Sequence, residues 1–332
     1  MKTAESVTPK HPDKLCDRIS DAILDACLEQ DPMSRVAIEC LGGHGIITIT
    51  GELTTKAYIN AREIAQGIAG TQYGVQTNIV SQSPEIAQGV DTGGAGNQGI
   101  MVGYACSDND AMIPQEAWLA RNLCQTLYSN YPHDGKTQIT LNDNNEIVAV
   151  VASFQSAPAV YLKDLVNGWL RRQKVTKDVK VFCNPAGDWN VGGFEVDTGV
   201  TGRKLMVDNY GPQVPIGGGC FSGKDATKVD RSAAYMARKI AVNLLKEHEA
   251  REVKEVLVKL AYAIGVAEPV MTTAEVTTKD GKKITLSHFE IFGKTDYNLT
   301  PKGIIETLDL RRPQFEMTAQ WGHFGNGFNW DK

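Results

Sequence analysis

A glycine-rich stretch with closely spaced charges, from Gly217 to Ala233, is the part of the sequence best suited to chemistry. Its glycines let backbone N–H groups approach an anion, and Lys224, Lys228 and Arg231 can neutralise phosphate charge. Asp225 and Asp230 can hold a divalent cation. The stretch, called the cradle below, is therefore predicted to bind a polyphosphate and its metal ion.

An amphipathic helix is predicted directly after the cradle, because apolar residues recur at steps of three or four from Ala233 to Leu244. The cradle then lies at a helix N-terminus, where the peptide dipoles favour an anion. Thr227 and Asp230 have the spacing of a capping box, in which the threonine hydroxyl closes the first turn.

Two other interpretations fit the same stretch. Gly218, Gly223 and Lys224 have the spacing of a P-loop, but Asp225 stands where a P-loop places the Ser or Thr that binds magnesium. A plain glycine turn before a solvated helix is the second alternative, since such turns are common before charged helices.

The composition indicates a globular protein without nucleic acid or membrane as partner. The 332 residues are enough for about two or three domains, and 42% of them are hydrophobic. A formal net charge of −5 disfavours general nucleic-acid binding, so the local Lys and Arg are expected to meet a small anion. Seven cysteines without a C-x-x-C pair indicate reduced thiols. Because no apolar signal core or spanning segment is present either, we expect a cytoplasmic location.

Predicted strands and helices alternate along the chain, which favours mixed α+β domains with helices on one face of each sheet. The predicted helices are 12–31, 57–69, 118–128, 162–170, 233–244 and 300–310. The predicted strands are 35–41, 46–53, 78–80, 136–141, 147–153, 179–183, 205–207 and 256–266. Residues 81–99, rich in glycine, are expected to form a loop that can cover a site.

Several residues outside the cradle have types that suit binding. His11 and Asp13 can cap the first helix. Glu39 and Glu52 interrupt apolar strands, so each carboxylate lies either on a solvated face or beside a cation or ligand amine. Trp189 lies among glycines, where it can stack on a purine or pack against backbone.

A series of motifs taken together resembles the S-adenosylmethionine synthetase family, the methionine adenosyltransferases. They are ESV and HPDK near the start, SDAILDA at 20–26, GELTT at 51–55, QSPEIAQGVD at 82–91, GAGNQG at 94–99, TGRKLMVD at 201–208, GGGCFSGKDATKVDRSAAY at 217–235, YAIGVAEP at 262–269 and GHFG at 322–325. They extend over nearly the whole chain in the family's order, so chance agreement is remote.

The resemblance implies three similar α+β domains around a pseudo-threefold axis, expected at residues 1–91, 94–194 and 195–332. It also implies a homodimer with active sites shared between chains, possibly assembled into a tetramer. The implied substrates are ATP and methionine. The methionine sulfur would attack C5′ of ATP and displace triphosphate, which the enzyme would hydrolyse to pyrophosphate and phosphate.

The resemblance also assigns roles to individual residues. The groups expected to stabilise the leaving triphosphate are His11, Lys14, Lys136, Arg203, Lys204, Lys224 and Lys228. The expected metal ligands are Asp13 and Asp230 for two Mg²⁺ ions per site and Glu39 for K⁺. The expected substrate-binding residues are Glu52, Gln82, Asn97, Asp134, Trp189, Asp197 and Ile264.

The chain departs from the family pattern in several places. It is several tens of residues shorter than common members, and Lys10 replaces the usual Gly before HPD. Trp189 replaces a usual Phe, and Asn97 replaces the Asp of GAGDQG, which removes a charge near the amino-acid pocket. A non-catalytic nucleotide-binding homologue is the alternative function; the retained cations argue against it, because a protein that only binds does not need to stabilise a leaving group.

Overall fold

A computed structural model describes residues 1–82, 93–175, 177–247, 252–286 and 297–332. Its strands are β1 (Lys2–Val7), β2 (Arg35–Gly43), β3 (Ile46–Thr54), β4 (Gly74–Val80), β5 (Gly99–Cys106), β6 (Gly135–Leu141), β7 (Ile147–Phe154), β8 (Lys180–Cys183), β9 (Gly199–Val200), β10 (Val253–Tyr262), β11 (Met271–Thr278) and β12 (Lys283–Leu286). Its α-helices are α1 (Pro12–Gln30), α2 (Ala61–Ala69), α3 (Gln115–Tyr128), α4 (Ala159–Arg172), α5 (Leu205–Asp208), α6 (Val229–Glu247), α7 (Pro301–Leu308) and α8 (Phe315–Trp321). Short 3₁₀ turns lie at Gly193–Glu195 and Asn329–Asp331.

The strands form three four-stranded sheets in the orders β4-β3-β2-β9, β1-β6-β7-β8 and β12-β11-β10-β5. The first two sheets are mixed, because β3 pairs with β4 and β7 with β8 in parallel while their other pairs are antiparallel. Each sheet takes one strand from a distant part of the chain: β9, β1 and β5, respectively. None of the three sheets is therefore built from one continuous segment of the chain.

Helices pack against these sheets and enclose the core. Helix α1 packs on β2 and α8, whereas α3 packs on β1 and β6. Helix α6 lies across β5 and β10, and it buries Ala233, Ala237 and Ile240 almost completely. The contact is so close that a Cβ on Gly103 would lie 2.0 Å from the carbonyl carbon of Ala237. Glycine in β5 therefore lets the cradle helix reach the sheet.

The α+β fold class is confirmed by the described sheets and helices. The predicted helix after the cradle is present as α6, and Thr300 caps α7 by accepting a hydrogen bond from the Gly303 N–H at 3.1 Å. The domain bounds and the pseudo-threefold arrangement stay predictions. No helix in the described ranges is both long and apolar enough to cross a bilayer.

Some predicted elements were wrong. Residues 205–207 form helix α5 and not a strand, since the Asp208 N–H bonds to the Lys204 carbonyl at 2.7 Å. Three apolar residues are too short a run to distinguish the two periodicities. The strand predicted at 256–266 lies at Val253–Tyr262 as β10, and strands β1, β5, β9, β11 and β12 and helix α8 were not predicted. Most of the predicted covering loop, residues 83–92, lies outside the described residues.

The predicted capping box at the start of α6 was also wrong. The Thr227 hydroxyl is buried and makes no hydrogen bond within the described part of the chain. The Thr227 N–H instead donates to Asp225 at 2.9 Å, and the Asp230 carboxylate accepts from the Gly219 N–H at 3.1 Å. Both aspartates therefore hold the cradle loop by backbone hydrogen bonds, and the Thr227 hydroxyl remains available to a ligand.

Candidate functional site

Asp13, at the start of α1, lies at the centre of a group of charges. Its carboxylate accepts hydrogen bonds from Arg203 Nε at 2.8 Å, Lys204 Nζ at 2.6 Å and the Val200 N–H at 3.0 Å. Burial raises the pKa of Asp13, but the hydrogen bonds from Lys204 and Val200 outweigh burial and leave the pKa below its usual range. A buried carboxylate thus stays ionised between two cations at one helix N-terminus.

His11 caps the same helix, as expected, by accepting a hydrogen bond from the Asp13 N–H at 3.2 Å. Burial, followed by the nearby Lys204 ammonium, lowers the pKa of His11 to about 4. The imidazole is therefore neutral near pH 7 and offers a ring N–H to a ligand, where the sequence analysis had counted it among the cations.

Two further expected site residues lie close to His11, and a third lies close to those two. The Lys136 charge lowers the pKa of His11 and the Asp197 charge raises it, and both charges also act on the pKa of Asp134. Lys136 forms an ion pair with Glu5 at 3.2 Å and remains half-exposed, and Asp197 is exposed. Asp134 accepts a hydrogen bond from the Gly193 N–H at 3.0 Å, and burial raises its pKa. We call these residues the Asp13 cluster: His11, Asp13, Asp134, Lys136, Asp197, Arg203 and Lys204.

Trp189 lies next to this cluster. Its ring is half-buried and packs over Gly192, where a Cβ would come within 2.7 Å of the indole. Gly192 is adjacent to Gly193, the residue that donates to Asp134. The contact matches the alternative interpretation of an aromatic against glycine backbone, and a role in adenine stacking stays a prediction.

Lys14 does not face the Asp13 cluster's exposed side. Its ammonium is 2.6 and 2.7 Å from the two carboxylate oxygens of Asp208 and 3.2 Å from Asp17, and its side chain is 1% exposed. Burial lowers the pKa of Lys14, but the Asp208 and Asp17 carboxylates raise it by more. The net shift is upward, so the Lys14 ammonium keeps its charge. Two buried carboxylates already match this cation, and a phosphate contact from Lys14 stays a prediction.

Asp230, at the start of α6, lies at the centre of a second group. It accepts hydrogen bonds from Lys224 Nζ at 2.7 Å, from the Gly219 N–H and from the Asn97 amide. A Cβ on Gly218 would lie 2.7 Å from the Asp230 carboxylate, so glycine at this position lets the carboxylate lie against the loop. We call Asn97, Lys224, Lys228 and Asp230 the cradle cluster.

Lys228 belongs to the cradle but points to a different carboxylate. Its ammonium is 2.5 Å from Asp225, and both side chains are buried. Asp225 also accepts from the Val36 N–H at 2.7 Å, which joins the cradle to the first residues of β2. Asp225, which the sequence analysis offered as a cation ligand, therefore holds the loop to the sheet.

A buried ion pair that was not predicted anchors the cradle from below. Arg231, expected to neutralise phosphate charge, is fully buried in this pair, so that expectation was wrong. Asp21 of α1 accepts two hydrogen bonds from Arg231, at 2.6 and 2.8 Å, and one from the Gly223 N–H at 2.8 Å. Gly223 has φ +79°, and a Cβ there would lie 1.9 Å from the Ile38 carbonyl oxygen. Only glycine fits this turn, which places Lys224 beside Asp230.

One sequence signal would have revealed this anchor. Aspartates recur at every fourth position along α1 and so share one face of the helix. Each accepts a backbone N–H from another part of the chain: Asp13 from Val200 and Asp17 from Gly202 in one segment, Asp21 from Gly223 and Asp25 from Phe315 in two others. Helix α1 therefore holds both clusters and the C-terminal helix α8 in place.

Glu39 and Glu52 lie on the outer face of the sheet formed by β2 and β3. Glu52 pairs with Ala37 across the strands, and Ala37 forms an isolated bridge with Lys224 of the cradle. Glu39 is exposed two residues further along β2. The solvated-face interpretation of both carboxylates fits their positions, and the same positions leave them accessible to a ligand.

Gln82 is the last residue of the described range 1–82, and Ile264 follows β10. The Gln82 N–H donates to Thr54 at 3.1 Å, and its Oε1 atom is buried without a partner in the described ranges. The Asn97 Oδ1 atom is likewise buried without a described partner. Ile264 is 56% exposed and forms a bridge with Ala95.

The two clusters are separated along β2. The cradle reaches this strand at Ala37, and the segment that carries Arg203 and Lys204 reaches it at Leu41 through β9. Four residues of strand span about 13 Å. The two groups of cations and carboxylates are therefore attached to β2 at points about 13 Å apart.

The carboxylates suit a metal ion that arrives with phosphate. Within the described ranges, no group of three or more His, Cys, Asp or Glu side chains could hold a metal by itself. Mg²⁺ is commonly bound by one or two carboxylates together with substrate phosphates. Asp13 and Asp230 each provide one cation-flanked carboxylate, which fits this mode and does not fit a closed protein cage.

Comparisons with known proteins agree with the motifs. Three sequence profiles of S-adenosylmethionine synthetase match: the N-terminal domain at residues 1–88, the central domain at 92–189 and the C-terminal domain at 191–332. S-adenosylmethionine synthase of Helicobacter hepaticus is 41% identical, with 99% of this chain and 95% of the relative covered. The synthases of Helicobacter pylori strain Shi470 and Helicobacter acinonychis are 40% identical with the same coverage. The chain therefore belongs to the S-adenosylmethionine synthetase family of adenosyl-transferring enzymes.

Proposed function

We propose that this enzyme makes S-adenosylmethionine by displacing the whole triphosphate of ATP. The methionine sulfur donates an electron pair to C5′, the S–C5′ bond forms, and the C5′–O bond breaks as triphosphate leaves. Water then cleaves the triphosphate to pyrophosphate and phosphate. The observation that carries the proposal is the pair of carboxylate–cation clusters around Asp13 and Asp230, which provide many charges and no obvious base.

The chemistry explains why the site is rich in cations. A thioether is neutral and needs no deprotonation, so catalysis depends on alignment and on stabilising charge that develops on the leaving group. Arg203, Lys204 and Lys224 now donate to Asp13 or Asp230. We propose that they also donate to phosphate oxygens while the aspartates keep them aimed.

Metal ions would add to the positive charge that these side chains bring to the triphosphate. Mg²⁺ held by Asp13 or Asp230 together with phosphate oxygens would supply further stabilisation of negative charge on the triphosphate. Neutral His11 donates a ring N–H near the same position. Glu39 is an exposed carboxylate that provides one oxygen-donor group for K⁺, and the remaining ligands would come from outside it.

Two unsatisfied acceptors support the proposed methionine site. Gln82 Oε1 and Asn97 Oδ1 are both buried without a hydrogen-bond donor in the described part of the chain. A buried acceptor without a donor is costly, and the α-ammonium of an amino acid supplies three donors. Glu52 on the adjoining sheet face adds the negative charge, so we propose that these three side chains hold the methionine ammonium. Ile264 and Trp189 are the proposed apolar contacts of the adenosine.

We propose that the working unit is a homodimer. The sheet faces expose large apolar residues that include Leu41 at 47%, Val80 at 56% and Ile100 at 50%. An exposed apolar face next to two separated half-sites fits a partner that covers the face and completes each site. Light scattering at assay concentration tests this, and a fully active monomer would contradict it. A tetramer remains an alternative outcome of the same measurement.

We also propose that the reaction takes place in the cytoplasm. All seven cysteines lie in the described ranges and are free thiols, which fits a reducing compartment.

One assay tests the proposed reaction. The protein is incubated with ATP, methionine, magnesium and potassium, and the products are separated by chromatography and mass spectrometry. S-adenosylmethionine, pyrophosphate and phosphate in equal amounts are expected. ADP would indicate a phosphotransferase, and binding of ATP without turnover would indicate a non-catalytic homologue; either result contradicts the proposal.

A further inference from the structure

A cavity of about 380 Å³ lies away from the Asp13 cluster and has no part in the proposed reaction. Its walls are the end of α1 with the turn after it, the start of β2, Gly93 and Gly94, cradle residues 225–227, and helix α7 with the turn after it. Small-molecule sites commonly have volumes of roughly 300–1,000 Å³ and mostly apolar walls. Leu28, Ile305 and Leu310 supply such a wall here, so the cavity has the size and the lining of a ligand site.

The polar groups of the cavity select for an anion. Arg35, Lys302 and Arg311 line it, and the partly buried Arg311 guanidinium has no ion pair or hydrogen bond in the described ranges. Lys302 is only 3.9 Å from Glu306 at an exposed position, so its charge is weakly matched. A guanidinium without a partner presents a fork of donors that suits a carboxylate or phosphate group.

The acidic residue of the cavity does not oppose an anion. Asp225 lines the wall, but its carboxylate is occupied by the Lys228 ammonium and by the N–H groups of Val36 and Thr227. Thr227 also lines the cavity, and its buried hydroxyl has no partner in the described part of the chain. This hydroxyl is available as a donor to a ligand oxygen.

We propose that this cavity binds a small organic anion, one carboxylate or phosphate group on a flat apolar body of one or two rings. Arg311 and the Thr227 hydroxyl bind the oxyanion, and the apolar wall covers the ring system. The ligand also acts on catalysis, because cavity residues 225–227 lie in the chain between Lys224 and Lys228 of the cradle. A ligand that fixes these residues fixes the loop that aims both lysines.

The test uses 1-naphthyl phosphate and 1-naphthoate as probes, with 1-naphthalenemethanol as the neutral control. Calorimetric titrations are made with and without saturating ATP analogue, so that occupation of the phosphate cradle is separated from occupation of the cavity. Because binding needs no turnover, the result does not depend on the proposed reaction. We expect one anionic probe per chain in the presence of the ATP analogue and no heat from the neutral control.

Matched variants locate the probe. Arg311→Gln should weaken binding about tenfold or more, the loss of roughly one charge-assisted contact. Thr227→Val, which removes the hydroxyl at constant shape, should weaken it by a smaller factor. Arg312→Gln is the control, because the adjacent Arg312 pairs with Asp309 at an exposed position outside the cavity. Equal binding by wild type and Arg311→Gln, or no binding by wild type at millimolar probe, would overturn the site.

The effect on catalysis has its own readout. At saturating ATP and methionine, the bound probe should change the turnover rate of wild type and Arg312→Gln, and Arg311→Gln should not respond. Probe that binds wild type in the calorimeter and leaves its turnover unchanged would overturn the coupling to the cradle.

Discussion

Arg231 and Asp21 form an ion pair in which both side chains are completely buried, with Nη1–Oδ1 and Nη2–Oδ2 distances of 2.6 and 2.8 Å. The pair connects α6 to α1 below the cradle. The same carboxylate accepts the Gly223 N–H, and Arg231 Nη1 donates to the Lys224 carbonyl at 3.1 Å. The backbone that carries Lys224 is thus held from two sides by one ion pair, which leads to the first prediction.

Asp21→Asn should lower the free energy of unfolding by about 3–5 kcal/mol, because Arg231 would keep a buried charge without its partner. Urea unfolding measures the loss. Lys283→Met is the control, since Lys283 pairs with Glu275 on the surface and should change stability little. A loss for Asp21→Asn as small as that of the control would show that the pair does not anchor the fold.

Lys224→Ala and Asp230→Asn should each raise the activation free energy of S-adenosylmethionine formation by about 3 kcal/mol. The rate should then fall roughly a hundredfold or more. The reason is that both residues act where negative charge develops on the leaving triphosphate. They also form an ion pair with a distance of 2.7 Å between Lys224 Nζ and Asp230 Oδ2, so the loss of one leaves the other without its partner. Steady-state rates and thermal unfolding are compared with Lys180→Ala, an exposed lysine on β8. Near-normal turnover in either cradle variant would remove these residues from the catalytic group.

Asn97→Asp should make the stability of the protein depend more strongly on magnesium. The Asn97 amide donates to Asp230, so an aspartate at position 97 would place a second carboxylate next to that of Asp230. Lys224, which donates to Asp230, would be the cation beside both. Like charges at this distance disfavour ionisation of both groups unless a cation is bound. The melting temperature should therefore fall without magnesium and rise more than that of wild type when magnesium is added.

Asn97→Ala is the matched control for this experiment, since it removes the amide and adds no charge. If magnesium raises the melting temperature of Asn97→Asp no more than that of wild type, position 97 is not part of a metal-binding group.

Stability should fall between pH values of about 6.5 and 4 because of His11. Burial lowers its folded-state pKa to about 4, whereas the unfolded chain takes up a proton near the ordinary value of 6.5. The unfolded state therefore binds more protons throughout this window, and the stability present above pH 6.5 is lost as the pH falls. At about pH 5 the loss due to His11 amounts to about 2 kcal/mol.

His11→Asn isolates this contribution, because asparagine can cap the helix and does not titrate. Urea unfolding of both proteins at about pH 7 and about pH 5 gives the comparison. Wild type should lose more stability than His11→Asn over this interval, and parallel losses would contradict the assignment of a neutral His11.

The sequence by itself determined the local features of the fold and of the site. The capping of α1 by His11 and of α7 by Thr300 could be predicted, since a cap depends on residues three or fewer positions apart. The helix after the cradle followed from apolar periodicity. The family followed from motifs, which can be recognised by residue type and order without knowledge of the tertiary structure.

Only the tertiary structure decided which charges meet. Asp13 pairs with Arg203 and Lys204 about 190 positions away, and nothing local distinguishes these cations from others in the chain. The partner depends on β9 joining β2 and on the row of aspartates along α1, both of which are results of long-range packing. For the same reason Thr227 lost its expected role as a cap: Asp225 took its backbone N–H, and the hydroxyl was left in the cavity wall. Local propensity sets what a residue can do, and packing selects one partner among many of similar energy.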